Sequence, residues 1–89
     1  MNFTYNITYH TRPGFVIRVA LILERRGFEI ESLEITPSAL PGFSDLFLKV
    51  KGEPAKAEQI YKQISKLIDV VQVEEVPVAA YSSSALRTA

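Results

Sequence analysis

No cysteine occurs in the 89 residues. That excludes disulfides, thiolate metal sites and a cysteine nucleophile. Neither sign of charge is in surplus, because ten Lys and Arg balance ten Asp and Glu. Binding to a phosphate backbone relies on an excess of basic side chains, so the balance argues against a nucleic-acid partner. No apolar run approaches the roughly 20 residues that span a bilayer. The start, Met1-Asn2-Phe3-Thr4-Tyr5, has neither the basic opening nor the apolar stretch of a signal peptide. These absences predict a cytoplasmic protein with no membrane partner. Histidine is nearly missing too: His10 is alone, with no serine or cysteine placed as a nucleophile beside it. No metal-ligand spacing, phosphate loop or acid–base pair is present, so no catalytic residue, metal site or cofactor is expected. Glu29 and Glu31, alternate residues on one strand, read as a solvated edge that discourages aggregation as readily as any ligand group.

What is present suits one small domain. With 47% hydrophobic and 22% charged residues the chain is too apolar for disorder. At this size folding removes only about 60–65% of the unfolded surface from water, so a covering partner adds to stability. Phe3, Tyr5, Ile7 and Tyr9 alternate with Thr4, Asn6 and Thr8, the period of a strand with one apolar face. Thr11-Arg12-Pro13-Gly14 breaks it. From Phe15 to Arg26 the period becomes helical, with Phe15, Val16, Val19, Ala20, Ile22 and Leu23 on one broad face and Gly27 as the stop. Phe28 to Thr36 is a second strand whose apolar phase slips at Ser32-Leu33, which predicts a bulge or bend. A connection over Pro37 to Phe43 leads to a third strand through Leu46, Leu48 and Val50. Pro54 opens a second helix, with Ala57, Ile60, Tyr61, Ile64, Leu67 and Ile68 on one face and Asp69 as its end. Val70 to Val76 is a fourth strand, with Val71 and Val73 sharing a face. Residues 1–77 form the domain and 78–89 a serine-rich tail expected to be flexible.

The order βαββαβ predicts an α+β, ferredoxin-like fold: a four-stranded antiparallel sheet with both helices on one face. Hydrolases and RNA-binding domains share that fold. Arg12-Pro13-Gly14 is a poor phosphate cradle, since proline removes one amide donor. Tyr5, Tyr9 and Phe47 lack the positive charge that accompanies base stacking. The loop before the first helix is the more informative feature. A glycine at a helix mouth exposes amide donors, and the helix dipole favours an anion such as an amino-acid carboxylate. A plain Pro-Gly turn accounts for the same two residues.

At this loop the sequence resembles a known family. Thr11-Arg12-Pro13-Gly14, then Arg18-Val19, then Arg25-Arg26-Gly27-Phe28-Glu29-Ile30-Glu31-Ser32-Leu33 is similar to the ACT domain of acetolactate (acetohydroxyacid) synthase small subunits. So is Lys62-Gln63-Ile64-Ser65-Lys66-Leu67-Ile68-Asp69-Val70 in the second helix. The resemblance runs from the first strand to Val76. It implies a non-catalytic regulatory subunit of branched-chain amino acid biosynthesis. Such a subunit activates a thiamine-diphosphate-dependent catalytic (large) subunit and, in many members, senses a branched-chain amino acid. It also implies homodimers through ACT pairing into an eight-stranded sheet, with the effector between the first loop of one copy and the second strand of the other. Carried over residue by residue, the effector-binding set is Thr11, Pro13, Gly14, Phe15, Glu29 and Ile30. Valine-responsive members have asparagine at the positions of Thr11 and Glu29, so the valine response is expected to be altered or silent. The length resembles the short, isozyme II-like form. Ile17 and Leu21 on the charged side of the first helix, and Phe47 on the uncovered sheet face, are expected to contact a larger partner. A free-standing ACT sensor serving another enzyme or a regulator is the alternative.

Overall fold

The alternating aromatics of the first segment become strand β1 (Asn2–His10), with Phe3, Tyr5, Ile7 and Tyr9 all buried on the same side. Helix α1 (Phe15–Arg25) lays Phe15, Val19 and Leu23 on them. Strands β2 (Glu29–Pro37) and β3 (Phe43–Lys51) follow, then helix α2 (Pro54–Ser65), which buries Ile60 and Ile64, and strand β4 (Val70–Glu75). The computed structural model describes residues 2–76; the tail over 78–89 and the boundary after Pro77 lie outside the described residues.

The strands form one antiparallel sheet in the order β2-β3-β1-β4. The expected ferredoxin-like arrangement is the observed one. Opposed residues of an antiparallel pair share a face. Tyr5 lies opposite Leu48 and Ile7 opposite Leu46, so these strands and both helices enclose one core on one side of the sheet. The other side carries Asn6, Thr8, Asp45, Phe47 and Lys49. The predicted bulge in β2 is present. Pairing with β3 jumps from Ile30 opposite Val50 to Ser32 opposite Lys49, leaving Glu31 as the extra residue. Period-two spacing therefore does not carry across from Glu29 to Glu31.

At Gly52 the backbone runs directly against the core. A Cβ there would stand 2.5 Å from the Phe28 ring, so only glycine lets β3 turn into α2 over that ring.

Three expectations change. Ile68 does not join the buried face of α2; it is 94% exposed. The helix stops at Ser65 because the Asp69 carbonyl accepts the His10 N–H at 2.7 Å, drawing residues 66–69 into a turn onto the end of β1. Tyr61 is also largely exposed, its hydroxyl directed at the Val73 carbonyl. Val71 and Val73 do not share a face. Tyr9 pairs with Val70 and Thr8 with Gln72, so Val71 is bulged out and exposed while Val73 is buried.

Candidate functional site

The loop between β1 and α1 is held by its neighbours before it is held by its own residues. The Thr11 N–H donates to the Gly42 carbonyl at 3.0 Å, tying the loop to the β2–β3 turn. The His10 N–H ties it to the α2–β4 turn. The Thr11 and Ser44 hydroxyls share a hydrogen bond of 2.5 Å, and Arg12 Nε pairs with Asp69 Oδ1 at 3.1 Å. Asp69 is buried, whereas Arg12 is mostly exposed. Gly14 then takes the left-handed conformation, φ +85°, and caps α1 with no side-chain hydrogen bond and no acidic residue in the first turn. Nothing lies within 4 Å of a Cβ at Gly14, so the need for glycine there is conformational. The first amides of a helix lack intrahelical acceptors. With the side chains of Thr11 and Arg12 engaged elsewhere, backbone donors are what this helix start offers a carboxylate.

The other candidate residues divide sharply. Phe15 is buried, its ring stacked on Tyr9 with centroids 4.1 Å apart and its N–H donating to the Arg12 carbonyl at 3.5 Å, so it offers the site no side chain. Pro13 is exposed at the loop. Glu29 lies opposite Lys51, which lies opposite Asn2, at the far end of the sheet from Thr11. Eight residue steps of strand separate the two ends, roughly 26 Å. Ile30 is beside Glu29, packed against the core. One chain therefore brings Thr11, Pro13, Gly14 and Phe15 together and keeps Glu29 and Ile30 away.

The three expected partner contacts also fall on different faces. Ile17 and Leu21 are 66% and 47% exposed on the outer side of α1. Phe47 is half-buried on the uncovered face, opposite Asn6 and Glu34. Leu33 and Ile35 are a second exposed apolar pair, at 39% and 49%. They lie opposite the core residues Leu48 and Leu46, so they point to the helix side of the sheet at its β2 edge. His10 sets its ring edge against Phe43 at 4.9 Å, and its buried Nδ1 has no hydrogen-bond partner among the described residues. That is a packing role.

Ser44 and Asp69 were not found by sequence reasoning. Ser44 opens a strand whose periodic signal starts at Leu46, and Asp69 reads as a helix stop. The signal for the edge pair was present in the phase slip that puts Leu33 and Ile35 in register.

Comparison with solved structures defines the class first. An ACT domain from the GTP pyrophosphokinase of Chlorobium tepidum superposes with a TM-score of 0.68 at 14% identity, over 85% of this chain and 97% of that one, which shows the shared fold. The crystal structure of the acetolactate synthase small subunit from Thermotoga maritima superposes with a TM-score of 0.76 at 37% identity, over 88% of this chain and 48% of that one. The probable acetolactate synthase small subunit of Methanothermobacter thermautotrophicus is 41% identical over 69 residues, covering 78% of this chain and 41% of that protein. The acetolactate synthase small subunit of Mycobacterium avium is 37% identical over 73 residues, 82% of this chain and 44% of that protein. Residues 5–72 match the model of the AHAS small subunit-like ACT domain, and the chain belongs to that family. It spans less than half the length of these relatives. No helix among the described residues is long and apolar enough to cross a membrane.

Proposed function

We propose that this chain acts as a regulatory, non-catalytic small subunit of acetolactate synthase. It binds the larger thiamine-diphosphate-dependent chain and raises its turnover in branched-chain amino acid biosynthesis. The carrying observation is the family match over residues 5–72, with the braced loop from Thr11 to Phe15 at its head. The chain contributes no cofactor; the chemistry belongs to the partner. Ile17 and Leu21 supply the apolar contact with that partner, since α1 leaves them uncovered.

The effector reading needs two copies. A branched-chain amino acid would set its carboxylate against the α1 amides of one copy, with Glu29 and Ile30 brought by the other. A homodimer joined along β2 supplies that geometry. Such an effector contacts both copies, so it stabilises their pairing, and it shifts the catalytic chain only by its differential affinity for two states. Glutamate at position 29 presents a charge where an ammonium group fits and a second carboxylate does not.

Turnover of the cognate catalytic subunit, measured with and without this chain, tests the reading. A reproducible rise in turnover on adding this chain is expected. The double variant Ile17→Ser/Leu21→Ser should lose most of that rise while staying folded. Unchanged turnover with the wild-type chain, alongside tight amino-acid binding by calorimetry, would reassign the domain to a free-standing sensor.

A further inference from the structure

The helix layer carries a cationic groove that the effector reading leaves unused. It opens between the end of α1 and α2, measures about 270 Å³ and is lined by Ile22, Arg25, Arg26 and Gln63. We infer that this groove receives a carboxylate side chain of the catalytic chain, the charged anchor of an interface whose apolar part is Ile17 and Leu21. This rests on the small-subunit reading proposed above and adds the chemistry of the partner's contact and the residues that hold it.

Residues four apart are neighbours on a helix surface. Ile17, Leu21 and Arg25 therefore form one row along α1, and Arg18, Ile22 and Arg26 the row beside it. One turn takes the exposed apolar pair into the groove. Arg26 is held there from α2: its Nε donates to Gln63 Oε1 at 3.2 Å and its Nη1 to Gln59 Oε1 at 3.4 Å. Both acceptors are neutral, so they fix the guanidinium in place and leave its charge uncancelled. Of the five N–H donors of a guanidinium, two go to the glutamines and three remain. Neither Arg25 nor Arg26 pairs with a carboxylate among the described residues. Glu24, the one acidic residue of α1, does not line the groove. Basic residues at a helix C-terminus complement its dipole. That accounts for the charge, but not for the groove or for the hold on Arg26.

Two guanidinium groups over one apolar side chain are complementary to a planar carboxylate, which arginine binds in a fork. Size and position choose a partner's side chain over a free molecule. The groove is smaller than the roughly 300–1,000 Å³ of pockets that enclose small ligands, and Ile22 is its one apolar residue. It also continues the Ile17–Leu21 row, and arginine is enriched among the residues that carry binding energy at protein interfaces.

Calorimetry of this chain with the cognate catalytic subunit tests the anchor. Arg25→Gln/Arg26→Gln removes both charges from exposed positions and should weaken association at least about 30-fold with unchanged circular dichroism. Lys49→Glu, on the other face of the sheet, should leave the affinity unchanged. The amine introduced by Arg26→Lys gives a direct readout. A zero-length carbodiimide condenses an amine with a carboxylate in contact, so peptide mapping of the complex should find position 26 joined to an Asp or Glu of the catalytic chain. Wild-type affinity in the double glutamine variant overturns the anchor and leaves the small-subunit reading intact. Weakening by Lys49→Glu alone moves the docking site to the uncovered sheet face and overturns it as well. Arginine-dependent binding of acetate or inorganic phosphate, with full affinity for the catalytic subunit in the double variant, assigns the groove to a free anion instead. A wild-type chain that does not associate with the catalytic subunit overturns the small-subunit reading and the anchor together.

Discussion

The two edges of the sheet are built differently. β4 is six residues long, bulges at Val71 and is backed by α2. β2 is nine residues long, bulges only near its start, and exposes Leu33 and Ile35 on the side where helices should cover them. Short, bulged edges resist strand addition, and long ones with apolar side chains invite it. A domain that needed only to stay soluble would blunt both edges. This one blunts β4 and leaves β2 open, so the proposed pairing uses the β2 side.

The largest expected effect strikes the core beside the β2 edge. Leu48 lies opposite Tyr5 on β1 and opposite Leu33 on β2 and is fully buried. Leu48→Ala should cost about 2–5 kcal/mol and shift the urea midpoint down accordingly. A shift worth under about 1 kcal/mol would mean that the β2 side does not depend on this joint.

An intermediate effect sharpens the β4 side. Burial, and next the charge of Glu75 opposite it, push the Tyr5 hydroxyl up from 10.0 to about 12. Below pH 10 folded and unfolded chains are both protonated at this group, and the full stability is present. Between pH 10 and 12 the unfolded chain loses the proton first, so stability falls as pH rises. The loss by pH 12 should be on the order of 2 kcal/mol, measured as denaturant midpoints against pH. Tyr5→Phe should flatten this part of the profile. An unchanged slope in that variant would assign the alkaline loss to other groups.

The smallest effects on stability separate the edges most cleanly. Leu33→Lys and Val71→Lys each replace an exposed side chain, so each should change monomer stability by no more than about 0.5 kcal/mol. Only Leu33→Lys should abolish pairing in light scattering. Equal behaviour of the two variants would erase the distinction between β2 and β4.

Much of the fold was legible because its signals are local. The four apolar side chains of β1, the buried stripe of α1 and the bulge near Ser32 follow from the spacing of side chains along the chain itself. The bulge at Val71 was not legible: an extra residue among Val70, Val71 and Val73 leaves the string apolar whichever face each valine takes. Ile68 was misplaced for a related reason. Its spacing continues the α2 stripe, and only the bonds from Asp69 to His10 and Arg12 turn the chain away first. At the candidate site, Gly14 and the helix start were readable from turn chemistry and family resemblance. Their bracing by Ser44 and Asp69 was not, since these partners are 33 and 57 positions from Thr11 and Arg12.

The sequence by itself determined the elements, their order and the family, because periodicity, turn residues and matched runs are properties of neighbouring positions. Only the tertiary structure decided which end of the sheet holds each half of the candidate site, what engages Thr11 and Arg12, and which edge stands open. Those depend on strand register, and register is set by the packing of residues far apart in the chain.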